Sequence, residues 1–382
     1  MIYLFWVGLL FLIYHLVFYP LLLMLLAPNR EQGTPDPEDY PAIAIICPAY
    51  NEESSIGQKI ESFLKLDYPA DKLDLYIVSD GSQDATVDVV RKYEFHPSIH
   101  LITQLTRQGK SSAFEAAFPL IKTDLILATD ANAVFHPQAV RELADIIISD
   151  PVIGIVVGKL EYTQNPQDTG EIIYWNYETW LKNLENKFNS IICANGSIYL
   201  IRKKFCGNVH PAAADDFERT LMVLEKQGRV VFNPQARVRE PAYSDLKQLI
   251  ASKTRNINRQ WFAMKLHLHL LNPFRYPRIS FQLFSHKILR WLLPLFSISI
   301  LLASGIASGN YIWNLIFAAQ LAVYLAGLAA ILMRQDRNIP LWLRYCGYWL
   351  AMNIASLQAL VLFITGYRYK YWETFRRSGN RV

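Results

Sequence analysis

The apolar residues of this chain are gathered at its two ends, and that distribution constrains the fold more than any other feature. Met1 to Ala27 (MIYLFWVGLLFLIYHLVFYPLLLMLLA) carries no formally charged side chain, and about 20 apolar residues suffice to cross the hydrocarbon core of a bilayer. Three further runs lie in the C-terminal third, near Trp291 to Ser308, Tyr311 to Met333 and Tyr345 to Gly366. A soluble core does not need its apolar residues collected in this way, so both ends are expected in lipid. The first run lacks the basic start, short apolar region and small-residue cleavage site of a secretory signal, and is read as a retained transmembrane helix over 1–28. In the last run Asn353, Ser356 and Gln358 dilute the apolar character. That run is open to two readings, a crossing or a re-entrant or interfacial segment.

Composition removes several alternatives. With 52% hydrophobic and 19% charged residues the chain is not disordered. A net charge of +5 is accounted for by Lys and Arg beside the spans, which mark a cytoplasmic or lipid-headgroup surface; no nucleic-acid module is present. Cys47, Cys193, Cys206 and Cys346 have no metal-binding spacing and read as thiols in a reducing compartment.

Between the spans, 41–240 alternates short β-branched runs with amphipathic ones, the pattern of an α/β domain with a mainly parallel sheet covered on both faces. Strands are expected at 42–47, 73–79, 100–104, 124–129, 153–158 and 229–234. A polar, Pro-rich linker over 29–40 joins the first span to this domain. From 241 to 290 aromatic and cationic residues interleave, as in helices lying in a membrane interface. The span cluster occupies 291–366, and a basic tail occupies 367–382. A hairpin of the spans near 291–308 and 311–333 would return Arg334, Arg337 and Arg344 to the side of the α/β domain, which places that domain in the cytosol. The basic tail conflicts with a single crossing by the last run.

Ligands of open α/β sheets bind at the carboxyl ends of the strands, and the polar motifs cluster there. In ICPAYNEESS, Pro48 and Ala49 end a buried strand, Tyr50 is placed to stack on a base and Glu52 faces the same crevice. In IVSDGSQDAT, Asp80 stands at a strand tip, Gly81 permits an unusual backbone angle and Asp84 suits a helix cap. In TRQGKSS, Lys110 enters a helix whose exposed amides, with the cation, suit a diphosphate. In LATDANAV, Asp130 and Asn132 offer oxygen ligands for a divalent cation. In AADDFERT, Asp215 and Asp216 open a helix, and adjacent carboxylates raise one another's pKa, which suits a base. On the expected interface helix Arg255 and Arg259 stand four apart on one face, with Trp261 nearby, where a diphosphate leaving group could be met. No GxGxxG follows any strand, which argues against a dinucleotide dehydrogenase.

Taken in order, PAYNEE, SDGSQDAT, RQGK, DAN and DDFER over about Pro41 to Trp261 resemble the membrane-embedded members of glycosyltransferase family 2, the group of cellulose, chitin and hyaluronan synthases. The resemblance implies an A-type glycosyltransferase domain, a Rossmann-like mixed sheet with helices on both faces, attached to transmembrane and interfacial helices. It implies inverting transfer of a sugar from a nucleotide-diphosphate sugar, a UDP-sugar by expectation, to a lipid or glycan acceptor in a cell inner membrane. By the same resemblance Pro48, Ala49, Tyr50, Glu52, Asp80 and Lys110 hold the nucleotide, Asp130 and Asn132 hold Mg2+ or Mn2+, and Asp216 is the general base. Asp215, Arg255, Arg259 and Trp261 complete the substrate site. Asn132 stands where the family has a second Asp, and Gln260 separates Arg259 from Trp261 where processive synthases carry QxxRW. Processive and single addition both stay open, as does assembly into an oligomer. The alternative is a catalytically silent nucleotide-sugar sensor or assembly subunit of a polysaccharide system.

Overall fold

The structure is a computed structural model that describes residues 2–27, 39–163, 169–241, 246–307, 309–333 and 339–369. Most of the linker, Arg334, Arg337 and nearly all of the basic tail lie outside the described residues. In chain order the elements are α1 (Ile2–Ile13), α2 (Tyr19–Leu26), β1 (Ile43–Ala49), α3 (Ile56–Leu64), β2 (Leu73–Asp80), α4 (Thr86–Arg91), β3 (Ile99–Gln104), α5 (Lys110–Ala117) and β4 (Leu125–Thr129). Then come β5 (Val134–Phe135), α6 (Ala139–Ser149), β6 (Ile153–Thr163), α7 (Thr169–Phe188), β7 (Ile198–Arg202), α8 (Asp215–Glu225) and β8 (Arg229–Pro241). The membrane-side helices are α9 (Leu246–Leu266), α10 (Pro277–Gln282), α11 (Leu289–Ile306), α12 (Tyr311–Leu332) and α13 (Leu341–Ile364).

One eight-stranded sheet runs β3-β2-β1-β4-β7-β6-β8-β5. The block β3-β2-β1-β4 is parallel, in keeping with the fully buried β-branched runs of β1 and β4. β7 enters antiparallel to both β4 and β6 and makes the sheet mixed. All six expected strands are present; β5 and β7 were not anticipated. Two apolar cores, one on each face, are built around alternate residues of β1, with Ala44 and Ile46 on one side and Ile43, Ile45 and Cys47 on the other. Cys47 and Cys193 are buried and none of the four cysteines is bridged.

Four helical stretches are long and apolar enough to cross a membrane among the described residues: Ile2–Leu26, Pro277–Ile306, Tyr311–Leu332 and Leu341–Ile364. The first is interrupted by a π-turn at Tyr14–Phe18, just before Pro20, whose ring and missing N–H disturb the preceding turn. The second begins at Pro277, earlier than the Trp291 expected from composition. Pro277 in the first turn starts this helical run, which takes in Phe281, Phe284, Lys287 and Arg290. The last apolar run is one 24-residue helix, α13, packed against α9.

Candidate active site

At the carboxyl ends of β1, β2 and β4 the polar turns interlock. Asn51 adopts a left-handed φ of 51°, which Asn tolerates, and its Oδ1 accepts from Gln83 N at 2.8 Å while its own N donates to Ser82 Oγ at 3.2 Å. Glu52 N donates to Thr86 Oγ1 at 2.7 Å, and the Glu52 carboxylate accepts from Ser55 Oγ. Asp84 Oδ1 accepts from Thr86 N at 3.0 Å, the expected cap. Asp80 is buried and receives Gln108 N on Oδ1 (2.6 Å) and Gly109 N on Oδ2 (2.8 Å). Its carboxylate therefore shapes the loop that presents Lys110. Gly81, at φ 69°, allows this closeness, since a Cβ there would lie 2.8 Å from Arg107 N. Arg107 in turn covers one face of the Tyr50 ring at 3.9 Å. Pro48 and Ala49 are buried at the end of β1.

Next to this edge opens a cavity of about 620 Å³ that brings together Lys110, Asp130, Asn132, Asp215, Asp216, Arg255 and Arg259. Lys110 Nζ donates to Asp130 Oδ1 at 2.7 Å and lies 3.7 Å from Asp215 Oδ2. Gly196 sits at the centre of the group. A Cβ on it would fall 2.8 Å from Lys110 Nζ, 3.5 Å from Asp130 Oδ2 and 3.8 Å from Asp216 Oδ2, so the bare glycine keeps the space between these groups open. Beneath the Asp130 turn, the fully buried Lys59 donates to Thr129 Oγ1 and to the Ala133 carbonyl, both at 2.7 Å, and lies 3.3 Å from the Phe135 ring centroid.

The carboxylates differ electrostatically. Burial and the neighbouring Asp215 push Asp216 up to about 6, while its Oδ1 accepts from Phe217 N at 2.8 Å. For Asp215, burial acts upward but the charges of Lys110, Arg259 and Arg219 outweigh it, and its carboxyl is held below the usual range. Burial likewise disfavours the Lys110 cation, and Asp130 and Asp215 reverse this, so Lys110 stays protonated. Adjacent in sequence, the two aspartates thus separate into a firmly ionised partner of Lys110 and a more basic carboxylate.

Arg259 is buried and donates through Nε and Nη2 to the Ala213 carbonyl, fastening the loop before α8. Arg255 is buried one turn earlier, with Nη2 3.5 Å from Ser252 Oγ. Trp261 corrects the sequence expectation. Its ring stacks on Phe363 of α13 (5.6 Å between centroids) and meets Trp291, and it lines a different hollow of about 480 Å³. At about 100° per residue, Trp261 lies some 200° around α9 from Arg259, so an arginine and an aromatic two residues apart cannot share a face. Gly196, Lys59, Arg107 and Asn51 were missed; of these only Asn51, an Asn directly after a strand end, carried a local signal.

The eight-stranded mixed sheet, with acidic turns and Lys110 at its carboxyl edge, has the A-type glycosyltransferase fold. The chain belongs to the glycosyltransferase-like family 2, whose model matches residues 41–259, more than half of its length. It is 28% identical over 260 residues to the probable glycosyltransferase YdaM of Bacillus subtilis, covering 65% of this chain and 62% of that protein. It is 25% identical over 320 residues to an N-acetylglucosaminyltransferase of Rhizobium meliloti, covering 78% of this chain and 74% of the other. The mannosyltransferase PcManGT from Pyrobaculum calidifontis, solved in complex with GDP-Man and Mn2+, superposes with a TM-score of 0.71 at 20% identity. That match covers 94% of this chain and 99% of PcManGT, and it extends the likeness in fold to the helices beyond the sheet.

Proposed function

We propose that the protein is an inverting, membrane-embedded glycosyltransferase that moves a sugar from a nucleotide-diphosphate sugar, a UDP-sugar in the first instance, to a hydroxyl of a lipid or glycan acceptor. The observation that carries this reading is the single cavity in which Lys110, Asp130 and Asp216 share walls with the span residues Leu12, Leu293, Tyr348 and Met352. A hydrophilic donor and an acceptor arriving from the bilayer could meet there. The relatives named for N-acetylglucosamine transfer and the structural neighbour holding GDP-Man support a nucleotide-sugar donor. The four long apolar helices support residence in the cell inner membrane, with the sheet domain in the cytosol where sugar nucleotides are found.

In the proposed reaction Asp216 removes the proton from the acceptor hydroxyl as its oxygen attacks the anomeric carbon, and the bond to the diphosphate oxygen breaks on the opposite side. Configuration inverts. A carboxylate of pKa about 6 is ionised at neutral pH yet more basic than an ordinary aspartate. Lys110, held protonated, sits where charge develops on the leaving diphosphate, and Arg255 lines the same cavity. Tyr50 and Asp80 border the nucleotide end along the strand tips. Asp130 and Asn132 fit a hard divalent cation: both offer oxygen donors to the cavity, and Asp130 Oδ2 faces the open space at Gly196. Bound there, Mg2+ or Mn2+ would neutralise charge on the diphosphate.

The test is to incubate membranes holding wild-type or Asp216→Asn protein with a panel of labelled sugar nucleotides and to follow label into lipid extract and high-mass polymer. Donor binding should persist in Asp216→Asn while transfer falls by about 10²-fold or more. Wild-type transfer in that variant would remove Asp216 as base; binding without turnover in the wild type would favour the silent-sensor reading.

A further inference from the structure

The far ends of α8 and α9 meet at a cluster unrelated to the catalytic cavity. Glu225 is the last residue of α8, and His267 and His269 follow α9 directly. Glu225 Oε2 lies 3.2 Å from His267 Nδ1 and Glu225 Oε1 lies 3.1 Å from His269 Nε2. All three ligand atoms fall within 4.8 Å of one another. Bonds of about 2.0–2.2 Å from a four-coordinate zinc ion to nitrogen and oxygen set its ligand atoms about 3.3–3.6 Å apart. Each imidazole nitrogen lies at about this separation from a different oxygen of the Glu225 carboxylate, so the two nitrogens flank that carboxylate.

A second observation points to a ligand. His267 is only 8% exposed, and its buried Nδ1 has no hydrogen-bond partner despite standing 3.2 Å from a carboxylate oxygen. The nitrogen is within reach of Glu225 but not aligned with it, as expected where both face a third atom. Behind the ring, Glu218 Oε1 lies 3.8 Å from His267 Nε2, while Glu218 Oε2 accepts from His210 N at 2.9 Å.

We propose that Glu225, His267 and His269 form a second metal site, for a borderline divalent transition metal of the zinc class, with its fourth position open to water. Two imidazoles and one carboxylate favour Zn2+ over the hard Mg2+ and Ca2+, whereas the all-oxygen pair Asp130 and Asn132 has the opposite preference. The role is structural. α8 begins with Asp215 and Asp216 and ends at Glu225, about 15 Å away along the helix; α9 carries Arg255 and Arg259 before reaching His267. An ion joining the two far ends holds the base and the arginines in register without touching substrate.

The site is tested by titrating Co2+ into chelator-treated full-length protein in detergent, with excess Mg2+ to occupy the oxygen site. The readouts are the visible ligand-field bands of four-coordinate Co2+ and the thermal midpoint after Zn2+ replaces it. We expect one equivalent bound, with the bands and the Zn2+-dependent rise in midpoint lost in His269→Gln and Glu225→Gln. Both residues are exposed, so the fold should survive either change. Asp130→Asn should leave binding unchanged. Absent bands, bands that persist in His269→Gln, or bands lost in Asp130→Asn would overturn the proposal.

Discussion

The chemistry of the site turns on how two adjacent carboxylates are made different. Lys110 stands 3.7 Å from Asp215 and 2.7 Å from Asp130, which leaves Asp216 to feel mainly burial and the negative charge beside it. With Asp216 as base, kcat/KM should fall about tenfold per pH unit below an inflection near pH 6, because protonation of the raised carboxyl removes the base. Asp215→Asn deletes the like charge and should move that inflection to lower pH; a profile that does not move in this variant would leave burial as the whole cause. Lys59 acts one layer below. Burial lowers its amine to about 7, and its hydrogen bonds to Thr129 and the Ala133 carbonyl flank the Asp130 turn on both sides. Lys59→Met strands a buried carbonyl and should cost about 1–3 kcal/mol of stability, read by denaturant unfolding, together with a raised donor KM. Unchanged stability and donor KM would show that the turn holds itself.

At the scale of elements, the polar residues that made the last apolar run ambiguous are the ones that dock it. Gln358 Oε1 accepts from Thr254 Oγ1 of α9 at 3.1 Å, Asn258 donates to the Ala359 carbonyl at 3.4 Å, and Asn353 and Ser356 line the cavity. Ser356 is buried and Asn353 is half-buried against the cavity, while the exposed Gln358 is engaged by Thr254, so each has a protein contact along α13. A cycle of Thr254→Val, Gln358→Leu and the double variant should give a coupling of about 0.5–1 kcal/mol by thermal unfolding in detergent; strictly additive effects would show that this bond does not hold α13 to α9. The same element shows what sequence could and could not reveal. The parallel strands were legible because each is a continuous β-branched run ending in a polar turn. β7 was not, because IYLIR carries no local mark of antiparallel insertion between β4 and β6, and β5 is only two residues long. Trp261 was misplaced for the complementary reason: adjacency in sequence suggested a shared site, and the turn of α9 sent it to Phe363.

At the scale of the whole molecule, one hollow reaches from the strand tips to the apolar helices, and no stretch of sequence announces it. Lys110, Asp130, Gly196, Asp216 and Ser356 are separated by long intervals of chain and line the cavity only because β7 carries the Gly196 turn beside Lys110 and α13 closes over α9. Each motif could be read from its own neighbours, whereas the continuity of the hollow from the strand tips to the apolar helices is a product of tertiary packing. This division makes the two halves separable by experiment. Ser356 is 8% exposed and lines the cavity from α13, so Ser356→Trp adds bulk to the membrane half. If the acceptor approaches from the lipid side, this variant should raise the acceptor KM by about tenfold or more, the equivalent of at least about 1.4 kcal/mol, and leave the donor KM and metal dependence as in the wild type. Two-substrate kinetics in nanodiscs make the distinction. An equal rise in both KM values would mean that the hollow is a single donor pocket, and an unchanged acceptor KM would route the acceptor to Asp216 from the aqueous side of the sheet.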